Sequence, residues 1–225
     1  MDKPIIQKEC VEAKFESRYV KVYDLQYKKD AHYLDATRRD LDNLVAIKSD
    51  EEFRDMLPDA VTIALIVKSK DESNAPKSDC RLLLNYEYRY PAGRFLLSPP
   101  AGLLDPEDAV ADEPLITAAK REVLEETGIT IKDTDKVFVM NPLLFSSPGM
   151  TDESNAIVCA VVELDDLSVI SQNGAVGTEC FNGYQLIDEK EAQKLLRSGR
   201  DNNGNFYSIY TWVVLSYFCS GLWKS

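Results

Sequence analysis

Apolar and polar positions along this chain follow two distinct periods. Ala60 to Lys68 is a continuous apolar run, as expected for a central strand covered on both faces. Tyr19 to Tyr27 instead alternates valines, tyrosines and polar residues, which predicts a half-buried strand. Arg81–Tyr88, the short apolar Phe95-Leu96-Leu97, Lys136 to Phe145 and Ala156 to Leu164 predict further strands. The polar stretch Ser69 to Asp79 would link the first of these to Ala60–Lys68 as a hairpin with a long loop. Helices are expected over Glu189 to Arg197 and Phe206 to Leu222, the latter as a buried C-terminal helix. Another helix opens near Pro114, shows an apolar stripe at Ile116, Ala119 and Val123, and closes at Gly128. Asp40 to Pro58 is the expected boundary between an N-terminal arm, residues 1–58, and a main domain, residues 59–225. The mixture suits an α/β/α sandwich around a mixed sheet, with a small N-terminal β arm.

That last helix carries an arrangement that local stability rules disfavour. Glu122, Glu125 and Glu126 stand at i, i+3 and i+4, so like charges share one flank. They also crowd the helix C-terminus, the negative end of its dipole, where cations are preferred. The triplet is either a solvated acidic face or a grip for a hard divalent cation, which would compensate both penalties.

Composition narrows the chemistry. A chain of 225 residues with 44% hydrophobic and 28% charged content reads as globular. Its net charge of −12 argues against a general nucleic-acid binder, although metal ions could bridge it to a small polyphosphate. Five cysteines without a Cys-x-x-Cys pair suggest reduced thiols. Met1-Asp2-Lys3-Pro4 begins no secretory segment and no apolar run reaches spanning length, so a cytoplasmic protein without membrane contact is expected. With His32 as its single histidine, the chain is poorly supplied for histidine catalysis, and carboxylates plus metal become the default.

From Glu113 through Arg121-Glu122-Val123-Leu124-Glu125-Glu126-Thr127-Gly128-Ile129, the chain resembles the Nudix hydrolases. Their box reads G-x5-E-x7-R-E-U-x-E-E-x-G-U, with U aliphatic. One departure is at the front, where ten residues instead of five separate Gly102 from Glu113, an insertion rich in Asp105, Glu107 and Asp108. These three read better as a solvated loop than as extra ligands. The resemblance covers roughly residues 60 to 190. It implies that Glu122, Glu126 and the Ala101 carbonyl bind magnesium or manganese, with Glu125 as a further ligand or water-positioning group. It also implies that Arg121 and Glu113 pair structurally, holding the helix against the first loop.

Further segments resemble the ADP-ribose pyrophosphatase branch of that family. Ser147-Pro148-Gly149-Met150-Thr151-Asp152-Glu153 follows the box much as in that branch, and Glu87-Tyr88-Arg89-Tyr90-Pro91 resembles its phosphate-contacting segment. A guanidinium at Arg89 could hold a diphosphate bidentately. Gly177-Thr178-Glu179 resembles the loop of the catalytic glutamate, making Glu179 the first choice of general base and Glu153 its rival. Tyr33, followed by Arg38-Arg39, occupies the place of an adenine-stacking aromatic in an arm exchanged between the subunits of a homodimer; the alternative is packing within its own arm. Ser98 departs from the branch, which often has a glutamate there.

The resemblance thus implies a hydrolase cleaving ADP-ribose, or a related nucleoside-diphosphate sugar, to a nucleoside monophosphate and a sugar phosphate. Alternatives are another diphosphate-linked substrate such as UDP-glucose or NADH, and a non-catalytic ADP-ribose sensor. A calcium-binding acidic domain is the third reading, but Asp-x-Asp-x-Asp-Gly spacing is absent.

Overall fold

The computed structural model describes residues 4–69 and 80–224, so the expected hairpin loop lies, from residue 70 on, outside the described residues. The chain divides into two compact units: Met1–Asp59 with Leu143–Asn155, and Ala60–Pro142 with Ala156–Ser225.

The first unit is built on an antiparallel sheet of β1 (Val11–Glu16), β2 (Lys21–Lys28) and β3 (Ala31–Thr37), with β2 in the middle. The β2–β3 turn places Asp30 at φ 56°, a left-handed conformation that a short polar side chain tolerates. Tyr23, Leu25 and Leu44 form its small core. A short helix, α1 (Asp50–Asp55), opens with a reciprocal capping box between Ser49 and Glu52. The sequence pattern had predicted β2 alone. β3 escapes because its buried positions are Asp35 and Thr37 while Tyr33 and Leu34 face outward, inverting the usual alternation.

The second unit carries β4 (Ala60–Ser69), β5 (Cys80–Arg89), β6 (Arg94–Ser98), β7 (Ala101–Leu103), α2 (Pro106–Ala109) and α3 (Pro114–Thr127). Then come β8 (Lys136–Phe145) and β9 (Ser154–Leu164), of which residues 143–145 and 154–155 are counted with the first unit, followed by β10 (Phe181–Ile187), α4 (Glu189–Ser198) and α5 (Ile209–Ser220). Its seven-stranded sheet runs β10-β5-β4-β9-β8, with β6 joined to β5 and β7 to β4. The unbroken apolar run of β4 is explained by the two layers it serves. Val61, Ile63, Leu65 and Val67 pack with Ala118, Ala119 and Val123 of α3. Ala64 and Ile66 face the other way, onto Ala192 and Leu195 of α4 and Val214, Leu215 and Phe218 of α5. Helices therefore cover both faces, giving the α/β/α sandwich.

The C-terminal helix is shorter and wetter than expected. Ser208 caps it by accepting the Thr211 N–H, Gly221 ends it at φ 70°, and Ile209 and Trp212 are exposed. Among the described residues, no helix is long and apolar enough to cross a membrane, and all five cysteines are free.

Candidate metal centre

α3 delivers the acids. Pro114 occupies its first turn, and Gly128, at φ 70°, donates its N–H to the Leu124 carbonyl and stops it. Ala118, Ala119 and Val123 bind the helix to the sheet, and that same packing drags two carboxylates inside. Glu122 and Glu126 are only 3% and 2% exposed, whereas Glu125 stays partly open. A solvated acidic face is therefore excluded for the first two.

Each buried carboxylate has a specific seat. The Glu122 carboxylate lies directly on Gly102 of β7, where any Cβ would overlap it. Glu126 accepts the Ala101 N–H at 3.3 Å through one oxygen and the Asn85 side-chain amide of β5 at 2.7 Å through the other. Glu179, from the segment before β10, completes a set whose ligand atoms all lie within 4.8 Å of one another: Glu122, Glu126 and Glu179. Its own carboxylate also accepts the Val176 N–H at 2.9 Å.

The charges are under-compensated. Burial pushes Glu122 up to about 7, against the pull of Arg121 and with Glu125 and Glu179 adding to the rise. Burial raises Glu126 well above the usual carboxylate range, with Glu87 and the other cluster acids contributing. Burial likewise raises Glu87, opposed by the Arg89 guanidinium that pairs with it. A set of buried oxygen donors facing one another in this way suits a hard divalent cation, which would let all of them ionise.

Several expectations need correction. Arg121 does not engage Glu113. It donates to Asp108 at 2.7 Å, to Glu122 at 2.7 Å, to Glu125 at 3.2 Å and to the Leu103 carbonyl at 2.9 Å. Glu113 is the N-cap residue of α3, and its side chain makes no cap bond. The inserted loop is not simply solvated: Asp105 and Asp108 form a capping box around α2, and buried Asp108 is the anchor of Arg121. An insertion thus supplies the counter-charge expected from Glu113.

Other candidates stand in the first unit. Tyr33 is half exposed and its hydroxyl donates to the Gly149 carbonyl at 2.6 Å. Arg38 pairs with Glu153 at 3.3 Å, and Arg39 pairs with Asp59 at 2.8 Å. Glu153 thus has a partner of its own, while Glu179 faces the cluster. Sequence reasoning missed Asn85, Gln172 and the burial of Glu87. Asn85 was detectable in principle as a lone amide inside an apolar strand; Gln172 carried no signal.

No family model matches the chain. A Caenorhabditis elegans protein provisionally named nudix hydrolase 2 is 39% identical over 115 residues, 51% of this chain and 43% of that protein. ADP-ribose pyrophosphatases of Saccharomyces cerevisiae and Mycobacterium tuberculosis are 34% and 39% identical, over 47% and 42% of this chain and 40% and 39% of their own lengths. Over about half its length, the chain is similar to proteins named as Nudix hydrolases and ADP-ribose pyrophosphatases. The matched stretch represents less than half the length of each of these curated relatives. A solved structure described as an ADP compounds hydrolase superposes with a TM-score of 0.57 at 19% identity, covering 100% of this chain and 98% of that one, and so shares the fold. The Arg121–Gly128 stretch that resembles the Nudix box lies at the C-terminal end of α3, with Gly102 as the seat of Glu122.

Proposed function

We propose that the chain is a divalent-metal-dependent pyrophosphohydrolase acting on ADP-ribose or a related nucleoside-diphosphate sugar. The observation that carries this reading is the cluster of buried Glu122 and Glu126 with half-buried Glu179, whose ligand atoms all lie within 4.8 Å of one another. The substrate class is supported by the ADP-ribose pyrophosphatases among the relatives and by Arg89 at the end of β5.

Glu122 and Glu126, with Glu125 and the Ala101 carbonyl, would hold magnesium or manganese. When bound, the ion supplies charge neutralisation of the diphosphate and acidification of water. Arg89, half exposed, is free to exchange Glu87 for a phosphate oxygen and orient the substrate. Glu179 accepts a proton from the attacking water as its oxygen adds to one phosphorus. The anhydride P–O bond then breaks, and the bridging oxygen leaves on the second phosphate, giving AMP and a sugar phosphate. Glu179 is preferred to Glu153 as base because Glu153 is already engaged by Arg38. Homodimerisation through the N-terminal arm, with Tyr33, Arg38 and Arg39 serving the base of the substrate, remains part of this reading.

A panel of ADP-ribose, other ADP-sugars, UDP-glucose and NADH, assayed with magnesium by phosphatase-coupled phosphate release, tests it. Preferential turnover of ADP-ribose or ADP-sugars supports the proposal; metal-independent binding of ADP-ribose without turnover of any compound overturns it in favour of a sensor.

A further inference from the structure

β10 contains a bulge. Its register passes from Phe181 opposite Glu87 to Tyr184 opposite Asn85, so Asn182 and Gly183 together face the single residue Tyr86. Gly183, at φ 87°, adopts a conformation open to glycine, and its backbone turns to a side chain instead of the ladder. Its N–H donates to Gln172 Oε1 at 3.0 Å and its carbonyl accepts from Gln172 Nε2 at 3.3 Å. A backbone N–H can only donate and a carbonyl only accept, so these two bonds fix which end of the Gln172 amide is nitrogen. The same Nε2 donates to Asn85 Oδ1 at 3.0 Å, which turns the Asn85 amino group onto Glu126 Oε2 at 2.7 Å. Asn85 is 1% exposed, so its orientation has no water to fall back on. Inverted, it would set an amide oxygen against a carboxylate oxygen.

Gln172 also lies in the stretch that carries Glu179. That stretch is tied to the end of α3 by the Ser171 N–H on the Thr127 carbonyl at 2.9 Å, and Gly174 packs against the Glu125 carbonyl so closely that a Cβ would not fit.

We propose that Gln172 is a positioning residue: through Asn85 it sets the donor that orients Glu126, and it links that carboxylate to the segment bearing Glu179. The inference rests on the role given to Glu126 above. A simple tether and a polarity relay make opposite predictions. Gln172→Glu keeps the acceptor for the Gly183 N–H but loses the donor, so it draws the Asn85 amino group to itself and away from Glu126. Gln172→Ala removes both anchors but leaves Asn85 free to keep facing Glu126. The relay therefore predicts that Gln172→Glu lowers kcat about 10–100-fold, with KM little changed, and more than Gln172→Ala does. A tether predicts the reverse order.

Independently of turnover, the metal-free protein should show a shifted, slowly exchanging Asn85 side-chain amide in 15N-resolved NMR. Gln172→Glu should move that signal more than Gln172→Ala does, and should weaken manganese binding measured by calorimetry. An unmoved Asn85 signal, or Gln172→Ala as the more damaging change, overturns the relay. If Gln172→Glu does not fold, manganese affinities of Asn85→Ala and Gln172→Ala decide. A clearly larger loss in Asn85→Ala supports the relay, and an equal or larger loss in Gln172→Ala overturns it. A protein inert toward every diphosphate would sink the proposed function, while the amide signal would still decide the relay.

Discussion

Each unit of this chain buries acids around an arginine, and the two solve the resulting charge problem differently. In the first unit, Arg39 reaches Asp59 at 2.8 Å and Asp152 at 3.6 Å, and the Asp152 N–H serves Asp35 at 3.0 Å. Burial, with Asp152 next in weight, still raises Asp35 to about 6, so the balance is incomplete, but the arginine lies among its acids. In the second unit, Arg121 is drawn outward onto Asp108 and Leu103, touching Glu122 and Glu125 from the side, and Glu126 receives only an amide and a backbone N–H. An internal cation answers the first set. On the proposed reading the second set is answered from outside, by an ion, which would separate acids that hold a fold from acids that hold a metal.

The largest break in that contrast should come from Glu126→Gln. We expect kcat to fall by about a thousandfold or more, since on the proposed reading that carboxylate holds the ion that acidifies the attacking water. The metal-free fold should be retained, because a neutral amide at a buried, proton-favouring position removes a penalty. Circular dichroism and steady-state kinetics check both halves; a wild-type rate would contradict the assignment.

Arg39→Ala should do the opposite. Leaving Asp59 and Asp152 without their cation should cost about 3–5 kcal/mol of stability, read by urea denaturation, with manganese affinity unchanged. A loss of manganese affinity equal to that of Glu126→Gln would erase the distinction.

Acidity offers a gentler probe. Glu122 has a folded pKa of about 7 against an ordinary 4.5, so between those values the folded state holds more protons than the unfolded one. Its contribution to stability is present below the lower value and is lost as pH rises through the upper one. Thermal melts of the metal-free protein should accordingly weaken from pH 5 to 8. The gain in melting temperature on adding magnesium should be small at pH 5 and largest above pH 7, and a pH-independent gain would count against the cluster as the binding place.

Gly102→Ala should come next, lowering manganese affinity about 10–100-fold by displacing the Glu122 carboxylate. Asp108→Asn is expected to be mildest, costing about 1.5–3 kcal/mol of stability through the weakened Arg121 anchor and lowering kcat only severalfold. Denaturant midpoints and kinetics for the two variants would show whether the order holds.

How much of this was legible beforehand follows the range of the interactions. α3 was readable because Pro114, Gly128 and the Ala119–Val123 stripe are local signals, and β4 because both its faces are apolar. The depth of Glu122 and Glu126 was not, since it depends on Gly102 and Asn85, which the fold brings in from other strands. Arg121 was misassigned for the same reason. Asp108 displaces Glu113 only because the insertion folds into a capped turn. The Glu179 segment could be suspected from resemblance, but its approach to the acids depends on tertiary contacts made at Ser171, Gln172 and Gly174.

Calorimetric titration of the metal-free protein with manganese at pH 7.5, run beside Glu126→Gln and Arg39→Ala, addresses the account most directly. It predicts saturable binding with proton release in the wild type, the same binding in Arg39→Ala, and none in Glu126→Gln. Absence of saturable binding in the wild type, or equal binding in Glu126→Gln, would contradict it.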